Sequence, residues 1–341
     1  MVNFRWAKDA TAPSLSSKYI ISDDKRPRLS EVVHSDSIPI IDMNKELNDV
    51  VQQVAQASQE YGFFQIINHG VSDNLYKKAM EVVTEFFHLP PEEKARFSEG
   101  LVKGMKVFGY YLKEQTGDPE MHMWSEIVSH LWHPSDPTFT RPLPQNPPQY
   151  REVMEAYSKE IEELFTRILG LLSLGLGLEE TVLKKSIGES PTRRLQVNYY
   201  PPCPNPELTL GLAVHTDYQA LTIVQPSDHV PGFQVLKDGK WIAVDPIPNS
   251  YVINIGDIIQ IMSNGKYKSV YHRAVTNKDE TRVSMGFFYG PNDNGVVRPL
   301  KEMIDDGKPP LYREFLFKEY VEEFGRRKGK EKRLLEFFEA N

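Results

Sequence analysis

The sequence is very poor in cysteine: Cys203 is the single cysteine among 341 residues. One thiol excludes an intrachain disulfide, and it excludes any zinc or iron–sulfur site that is built from several cysteines. The scarcity is typical of a protein from a reducing compartment. Any metal that this chain binds must therefore be held by histidines and carboxylates.

Long apolar runs and blocks of like charge are also missing. No stretch reaches the roughly 20 apolar residues that span a bilayer, and the first ten residues, MVNFRWAKDA, lack the apolar run of a signal peptide. The 40 basic and 47 acidic residues are interspersed and give a net charge of −7. This balance disfavours a partner such as nucleic acid or a membrane surface. We expect a cytoplasmic monomer that acts on a small molecule.

The first half of the chain has apolar residues at helical spacing. One such stripe runs from Leu47 to a stop at Gly62, Ser72 can cap a second, and a third covers residues 153–168. Between the first two, the segment FFQII at residues 63–67 predicts a short buried strand. We interpret the stripes as core-facing and assign them no chemistry.

From about Arg193 the pattern changes from helical to extended. Short apolar runs alternate with turns rich in Pro, Gly and Asn, and the runs are LQVNYY, ALTIVQ, GFQVL, WIAVD, YVINIG and VSMGFFYG. Asp238-Gly239 between two of the runs predicts a hairpin. Several short strands in succession are typical of a sandwich or jelly roll and not of a parallel α/β sheet. After Pro310 the helical pattern returns.

The motif with the clearest chemistry lies in the segment GLAVHTDYQALTIV. His215 and Asp217 are two residues apart on an extended stretch, so their side chains point to the same face. His272 follows in the strand-like segment YKSVYHRAV. Two histidines and one carboxylate form a facial triad that leaves positions of an octahedral ion open, which suits non-haem iron(II). Alone, the H-x-D pattern is weak evidence, because a single histidine is more often structural.

A second group of residues strengthens this interpretation. Arg282 and Ser284 share a strand face by the same period and offer a guanidinium fork and a hydroxyl to a carboxylate. An open metal face beside such an arginine suits a dicarboxylic keto acid that chelates the metal with one end. A surface ion pair is the alternative for Arg282. Asn198 and Tyr200 repeat the alternation, although each taken singly is an ordinary strand residue.

Five segments together resemble the plant 2-oxoglutarate-dependent dioxygenases, from about residue 37 to 325. They are IPIID, YGFFQIINHGV, NYYPPCPNPELTLGLAVHTD, NIGDIIQIMSNGKYKSVYHRAV and TRVS. The resemblance implies a mainly β fold, a distorted double-stranded β-helix (jelly roll, cupin-like) framed by N-terminal and C-terminal helices. It also implies that iron is bound by His215, Asp217 and His272, and that 2-oxoglutarate is bound by Arg282 and Ser284, with Tyr200 assisting and Asn198 near the metal end.

The expected organisation has four regions. Residues 1–100 form an N-terminal region of helices and a strand, and residues 101–190 form a helical support with a pocket segment. Residues 191–300 form the catalytic jelly roll, and residues 301–341 form the C-terminal helices.

The resemblance also implies a reaction. The cofactors are Fe(II), 2-oxoglutarate as cosubstrate and O₂, with ascorbate as a stimulant, and succinate and CO₂ are released as the substrate is oxidised. Hydroxylation of a plant specialised metabolite is the simplest outcome. Desaturation, O-demethylation and oxidation of a gibberellin-type hormone stay open.

Similarity to relatives that act on flavonoids, salicylate and tropane alkaloids predicts a substrate pocket. Its positions are Phe108, Tyr110, Met123, Gln196, Tyr218 and Phe288. The aromatic members would form an apolar wall for a flat or polycyclic molecule, although each of them could equally pack in the core. Gln196 is neutral where flavonoid-oxidising relatives often have lysine, which argues against an anionic flavonoid.

Two other classes of protein compete with this interpretation. A zinc hydrolase can use the same three ligands, but it needs an activated water and a general base, and it has no use for Arg282 and Ser284. The other is a cupin-like module that binds a ligand without turnover. Every expected catalytic position is filled in this sequence, which argues against that class. Succinate formation that depends on iron and 2-oxoglutarate separates the three.

Overall fold

The computed structural model describes residues 15–34, 38–97, 105–108, 122–134, 136–227, 229–305, 307–327 and 333–340. The α-helices are α1 (Leu47–Glu60), α2 (Asp73–Phe87), α3 (Pro91–Lys94), α4 (Tyr150–Gly175), α5 (Val182–Ile187), α6 (Asp257–Met262) and α7 (Phe317–Arg327). None of these described helices has the length and apolar character that crossing a membrane requires.

The strands begin near the N-terminus and are concentrated after residue 190. They are β1 (Val33–His34), β2 (Ile40–Asp42), β3 (Phe63–Ile67), β4 (Met105–Phe108), β5 (Glu126–Leu131), β6 (Thr192–Tyr200), β7 (Leu212–His215), β8 (Leu221–Pro226), β9 (Phe233–Lys237), β10 (Lys240–Val244), β11 (Tyr251–Ile255), β12 (His272–Ala274), β13 (Arg282–Gly290), β14 (Val296–Val297) and β15 (Phe315–Leu316).

Two sheets form the predicted jelly-roll core. The larger has the order β2-β3-β11-β8-β13-β6-β5-β4, and the smaller has the order β1-β10-β9-β12-β7. Strands β2 to β5 come from the first two predicted regions, yet they lengthen the sheet whose centre comes from residues 191–300. These regions therefore share one sheet system.

Strands β6 and β13 form the centre of the larger sheet, and their side chains alternate between two faces. They pair antiparallel along nine residues, from Thr192 opposite Gly290 to Tyr200 opposite Arg282. Side chains at positions 195, 197, 199, 283, 285, 287 and 289 pack into the main hydrophobic core. The intervening residues face the other way, which leaves one row of each strand available for chemistry.

Helices cover the core face of this sheet. Members of the three predicted stripes, including Val54, Val82 and Ile161, are buried in the main core, as predicted. The Ser72 side chain accepts a hydrogen bond from the Leu75 amide at the start of α2, so the predicted cap is confirmed.

The predicted hairpin is also confirmed. Lys237 pairs with Lys240 across a two-residue turn in which Asp238 (φ 50°) and Gly239 (φ 76°) both have positive φ. This is the backbone of the type I′ turn that Asp-Gly favours. The turn fixes the register of β9 and β10. On its other side β9 pairs with β12, and the ring of Phe233 lies 5.4 Å from that of His272, measured between ring centres.

Candidate active site

A cavity of about 870 Å³, its mouth included, lies between the two sheets. Strands β7 and β12 of the smaller sheet and the loop that follows β7 contribute the candidate metal ligands. The larger sheet contributes a row of polar side chains. The described residues that line it are Arg194, Gln196, Asn198, Tyr200, Leu212, His215, Thr216, Asp217, Tyr218, Gln219, Thr222, Val224, Phe233, Asn254, His272, Arg273, Ala274, Arg282, Ser284, Gly286, Phe288 and Phe324.

The three predicted metal ligands meet in this cavity. His215 ends β7, His272 begins β12, and the two residues are direct partners in the antiparallel pairing. Asp217 Oδ1 lies 3.8 Å from His215 Nε2 and 3.6 Å from His272 Nε2. The three candidate donor atoms all lie within 4.8 Å of one another, so a single ion can contact all of them.

Backbone carbonyls orient both imidazoles for metal binding. His215 Nδ1 donates to the Ala213 carbonyl at 2.7 Å, and His272 Nδ1 donates to the Val270 carbonyl at 3.2 Å. Each ring therefore presents its Nε2 lone pair to the cavity. Burial, and secondly the neighbouring His272, lower the pKa of His215 to about 4. The ring is thus neutral at ordinary pH, as a metal ligand must be.

Side chains behind the triad hold the H-x-D segment. Asn254 donates from Nδ2 to Asp217 Oδ2 at 3.3 Å. The Asp257 amide donates to the Asp217 carbonyl at 2.8 Å, and Thr216 Oγ1 donates to Asp257 Oδ2 at 3.2 Å. Because both the backbone and the carboxylate of Asp217 are held, its position is set before a metal binds.

Gly256 permits the close approach of this segment to α6. A Cβ atom at Gly256 would lie 2.0 Å from the Gln219 carbonyl oxygen, and the Gly256 amide donates to the Ala220 carbonyl at 2.9 Å. The backbone of Gly256 has an ordinary φ of −90°. Space, and not backbone conformation, therefore requires a glycine at the junction of β11 and α6.

Arg282 lies on the cavity face of β13 and is only 3% exposed. Its Nε and Nη1 atoms have no hydrogen-bond partner among the described residues. Burial lowers the pKa of Arg282, but an arginine has so high a pKa that the side chain stays charged. A buried cation with unpaired donors is costly unless an anion completes it, so these two nitrogens mark a binding position for a carboxylate.

Tyr200 and Ser284 flank this arginine. The Arg282 guanidinium lies 5.2 Å from the centre of the Tyr200 ring. Burial raises the pKa of Tyr200, so its hydroxyl keeps a proton to donate. Gly232 leaves room for the arginine, because a Cβ atom there would lie 3.0 Å from Arg282 Cδ. The surroundings suit one end of a small dicarboxylate.

Three of the predicted substrate positions line the cavity. Gln196 donates from Nε2 to Asn198 Oδ1 at 3.1 Å. The Tyr218 ring packs against Phe324 of α7, with the ring centres 4.9 Å apart. Phe288 is half-buried, whereas every other residue of β13 is buried. A partly exposed ring on an otherwise buried strand faces the cavity and not the core.

The other three predicted substrate positions differ. Met123 is 1% exposed and packs in a small cluster with Ile21, Leu210 and Val275, and it is not among the described residues of the lining. Its apolar side chain is used in packing the N-terminal segment. Phe108 is described by its backbone, which pairs with Ile127 on β5. Tyr110 lies outside the described residues.

Three of the lining residues that sequence reasoning missed bear on the chemistry of the site. Asn254 is the single polar residue of the buried strand YVINI, and that contrast was the available signal. Arg194 continues the alternation of Gln196, Asn198 and Tyr200 by one more step. Phe324 reaches the cavity from α7, and no local pattern in the sequence joins it to the jelly roll.

Comparison with known proteins agrees with this geometry. The family model described as the 2OG-Fe(II) oxygenase superfamily matches residues 191–291, and the model described as the non-haem dioxygenase in morphine synthesis N-terminal matches residues 38–150. Flavanone 3-dioxygenase 2 of Oryza sativa subsp. japonica is 40% identical over 332 residues, which covers 96% of this chain and 95% of the relative. The chain belongs to the 2OG-Fe(II) oxygenase superfamily. Its cofactors are therefore iron(II) and 2-oxoglutarate.

A second curated relative and a solved structure are also similar to this oxygenase. The protein DOWNY MILDEW RESISTANCE 6 of Arabidopsis thaliana is 40% identical, with 96% of each chain covered. Among solved structures, JOX2 in complex with 2OG, Fe and JA is similar with a TM-score of 0.86 and 35% identity, covering 99% of this chain and 98% of JOX2. The oxygenase therefore has the fold of an enzyme whose structure contains both cofactors.

Proposed function

We propose that this oxygenase hydroxylates a small, largely apolar or aromatic plant metabolite, with iron held by His215, Asp217 and His272. One observation supports the assignment above all: the three ligands and the unpaired nitrogens of buried Arg282 line the same cavity. A metal site alone would also suit a hydrolase. The carboxylate position beside it fits 2-oxoglutarate, which needs a metal at one end and a cation at the other.

The donor set fits iron(II). Two neutral imidazoles and one carboxylate match the facial triad of non-haem iron oxygenases, which leaves positions for further ligands. When bound, iron with 2-oxoglutarate and O₂ supplies the oxidising chemistry, and succinate and CO₂ are the products released from the cosubstrate. The protein contributes the geometry: Ala213, Val270 and Asn254 fix the ligands, and none of these three contacts has to form during the reaction.

Arg282 and Ser284 would hold the distal carboxylate of 2-oxoglutarate. A guanidinium fork can pair with both carboxylate oxygens, and Ser284 lies two residues along the same face to add a hydroxyl. Tyr200 keeps its phenol proton and can donate from the opposite strand. Asn198 faces the same cavity, two residues from Tyr200 along β6 in the direction of Gln196.

The wall beyond the cosubstrate would hold the substrate. Phe288, Tyr218 and Phe324 present aromatic surface, which binds a flat molecule and keeps water away from the reacting carbon. The relatives named for flavanones support a substrate of this kind. Desaturation and O-demethylation remain open as outcomes of the same chemistry, since the ligand set is common to all three.

Two measurements test the proposal. Purified protein should release succinate from 2-oxoglutarate only when iron(II) is present, and chelation should stop the release. A screen of plant metabolites by mass spectrometry should then find a product that has gained one oxygen atom. Loss of two hydrogens would indicate desaturation, and loss of a methylene unit would indicate demethylation. A protein that binds metabolites but releases no succinate would be a non-catalytic binding module.

We further infer that the enzyme acts as a monomer in the cytosol. The single cysteine supports a reducing compartment. Light scattering on the full chain should give the mass of one 39.2 kDa protomer, and twice that mass would contradict the inference.

A further inference from the structure

Arg194 is the last residue of the cavity-facing row on β6. It is half-buried and lies opposite Phe288 on β13 and Leu131 on β5. Its Nη1 donates to Ser129 Oγ at 3.3 Å. In the part of the chain that the structure describes, no carboxylate pairs with it. The guanidinium is therefore a cation in the cavity lining, and among the described residues Ser129 is its one hydrogen-bond partner.

A row of four residues across the sheet connects this cation to the metal ligands. Asn254, Thr222, Phe288 and Arg194 are direct partners on the neighbouring strands β11, β8, β13 and β6. Asn254 donates to Asp217 at one end of the row. Neighbouring strands are about 4.8 Å apart, so Arg194 lies about 14 Å from Asn254 across the sheet. A molecule lying on Phe288 would have the metal on one side and the guanidinium on the other.

Among the described residues of the lining, the balance of charge leaves two arginines, Arg194 and Arg273, without a carboxylate partner. Iron(II) and dianionic 2-oxoglutarate cancel, as do Asp217 and Arg282, and the metal-bound imidazoles are neutral. Arg273 is already engaged: it donates to Gln234 Oε1 at 2.9 Å, and its guanidinium lies 3.9 Å from the centre of the Trp241 ring. A cation that has no counter-ion among the described residues and lies in a partly enclosed cavity attracts an anion.

We propose that Arg194 selects a substrate with a carboxylate at the end far from the oxidised carbon, so that the native substrate is a small aromatic or alicyclic organic acid. The proposal rests on the proposed function and deepens it. Gln196, the next cavity-facing residue on β6, is neutral and is hydrogen-bonded to Asn198, so it leaves the recognition of charge to Arg194. The cation is then about 7 Å further along the strand from the cosubstrate than Gln196 is.

Binding of matched acids and amides tests the selection. The probes are naphthalene-2-acetate and 4-phenylbutanoate, each compared with its primary amide, and calorimetry is done on full-length protein with Mn(II) and 2-oxoglutarate present. We expect wild-type protein to bind each acid about tenfold more tightly than its amide, which is the size of one charge-assisted contact. Arg194→Met should remove this preference, and Arg194→Lys should keep part of it.

The control is Arg298→Met, which removes the same charge at the surface, where Arg298 pairs with Glu314. This variant should behave like the wild type. A wild-type protein that binds no acid more tightly than its amide would overturn the proposal, and so would an acid preference that persists in Arg194→Met. The proposed function fails separately: absence of iron-dependent succinate would disprove it whatever the binding data show.

Discussion

At the scale of single residues, Arg282 shows most clearly how the cavity is prepared for a ligand. The side chain is buried, yet two of its nitrogens have no partner among the residues described. Folding has therefore removed a cation from water without completing its hydrogen bonds. A carboxylate that binds there restores these bonds, which explains why a keto acid with a second carboxylate suits the site.

Removal of this guanidinium gives the first prediction. Arg282→Ala should weaken 2-oxoglutarate binding by about 2–5 kcal/mol, the cost of losing one partner of a buried charge pair. Arg282→Lys should recover only part of the loss, because lysine cannot pair with both oxygens. The check is the 2-oxoglutarate concentration that gives half-maximal succinate release. If both variants need the same concentration as the wild type, the anchor lies elsewhere.

Two adjacent phenylalanines give a matched pair for the second prediction. Phe287 is 2% exposed and packs in the main core, whereas Phe288 is half-buried and faces the cavity. Phe287→Ala should lower the free energy of unfolding by about 3–5 kcal/mol. Phe288→Ala should cost about 1 kcal/mol of stability but should strongly weaken substrate binding, with little change in the affinity for 2-oxoglutarate.

Urea unfolding and binding titrations on both variants check this pair. If Phe288→Ala proves as unstable as Phe287→Ala, the ring belongs to the core. If it loses 2-oxoglutarate binding instead, the substrate wall lies elsewhere in the cavity.

At the scale of elements, hydrogen bonds connect helices α6 and α7 to residues 215–217, which contain two of the metal ligands. Asp257 at the start of α6 is 1% exposed, and it accepts hydrogen bonds from Thr216 and, at 2.8 Å, from the hydroxyl of Tyr320 on α7. Burial raises the pKa of Asp257, while Arg333 opposes the shift. Helix α7 therefore does more than cover the core. Through Tyr320 and Asp257 it holds Thr216, the residue between the metal ligands His215 and Asp217.

The junction of β11 and α6 gives the third prediction. Gly256→Ala would bring a Cβ atom into contact with the Gln219 carbonyl, so we expect a loss of about 1–3 kcal/mol in stability together with weaker metal binding. Gly325→Ala in α7 is the control, because a Cβ atom there meets nothing within 4 Å and should stabilise the helix by about 0.5–1 kcal/mol. Equal urea midpoints for the two variants would show that the segment tolerates the displacement.

How far the sequence predicts these elements depends on the range of the contacts. The alternation on β6 and β13 is local, and its two-residue period is enough to predict that Arg282 and Ser284 share a face of β13 and that Asn198 and Tyr200 share a face of β6. The hairpin at Asp238-Gly239 is equally local. The bond from Tyr320 to Asp257 joins residues 63 positions apart, and nothing in either segment indicates it. The packing of Met123 is equally non-local, because its partners Ile21 and Leu210 come from distant segments.

At the scale of the whole molecule, the cavity exists because two sheets meet with different chemistry. The smaller sheet contributes His215 and His272, and the larger contributes Arg282 and Phe288. Neither sheet alone brings a metal ligand and a carboxylate partner together. The fold therefore sets the distance between the iron and the far end of 2-oxoglutarate, and the residues at the substrate end are separate from the metal ligands.

The final prediction concerns this central site and uses one measurement: iron bound per chain together with the succinate that it forms from 2-oxoglutarate. Wild-type protein should bind one iron and release succinate, and His34→Ala should match it, because the His34 side chain is 72% exposed. Asp217→Ala should keep its fold but lose the iron and the succinate, since a three-ligand site loses affinity and geometry with any ligand. Normal succinate release by Asp217→Ala at low iron would contradict the site.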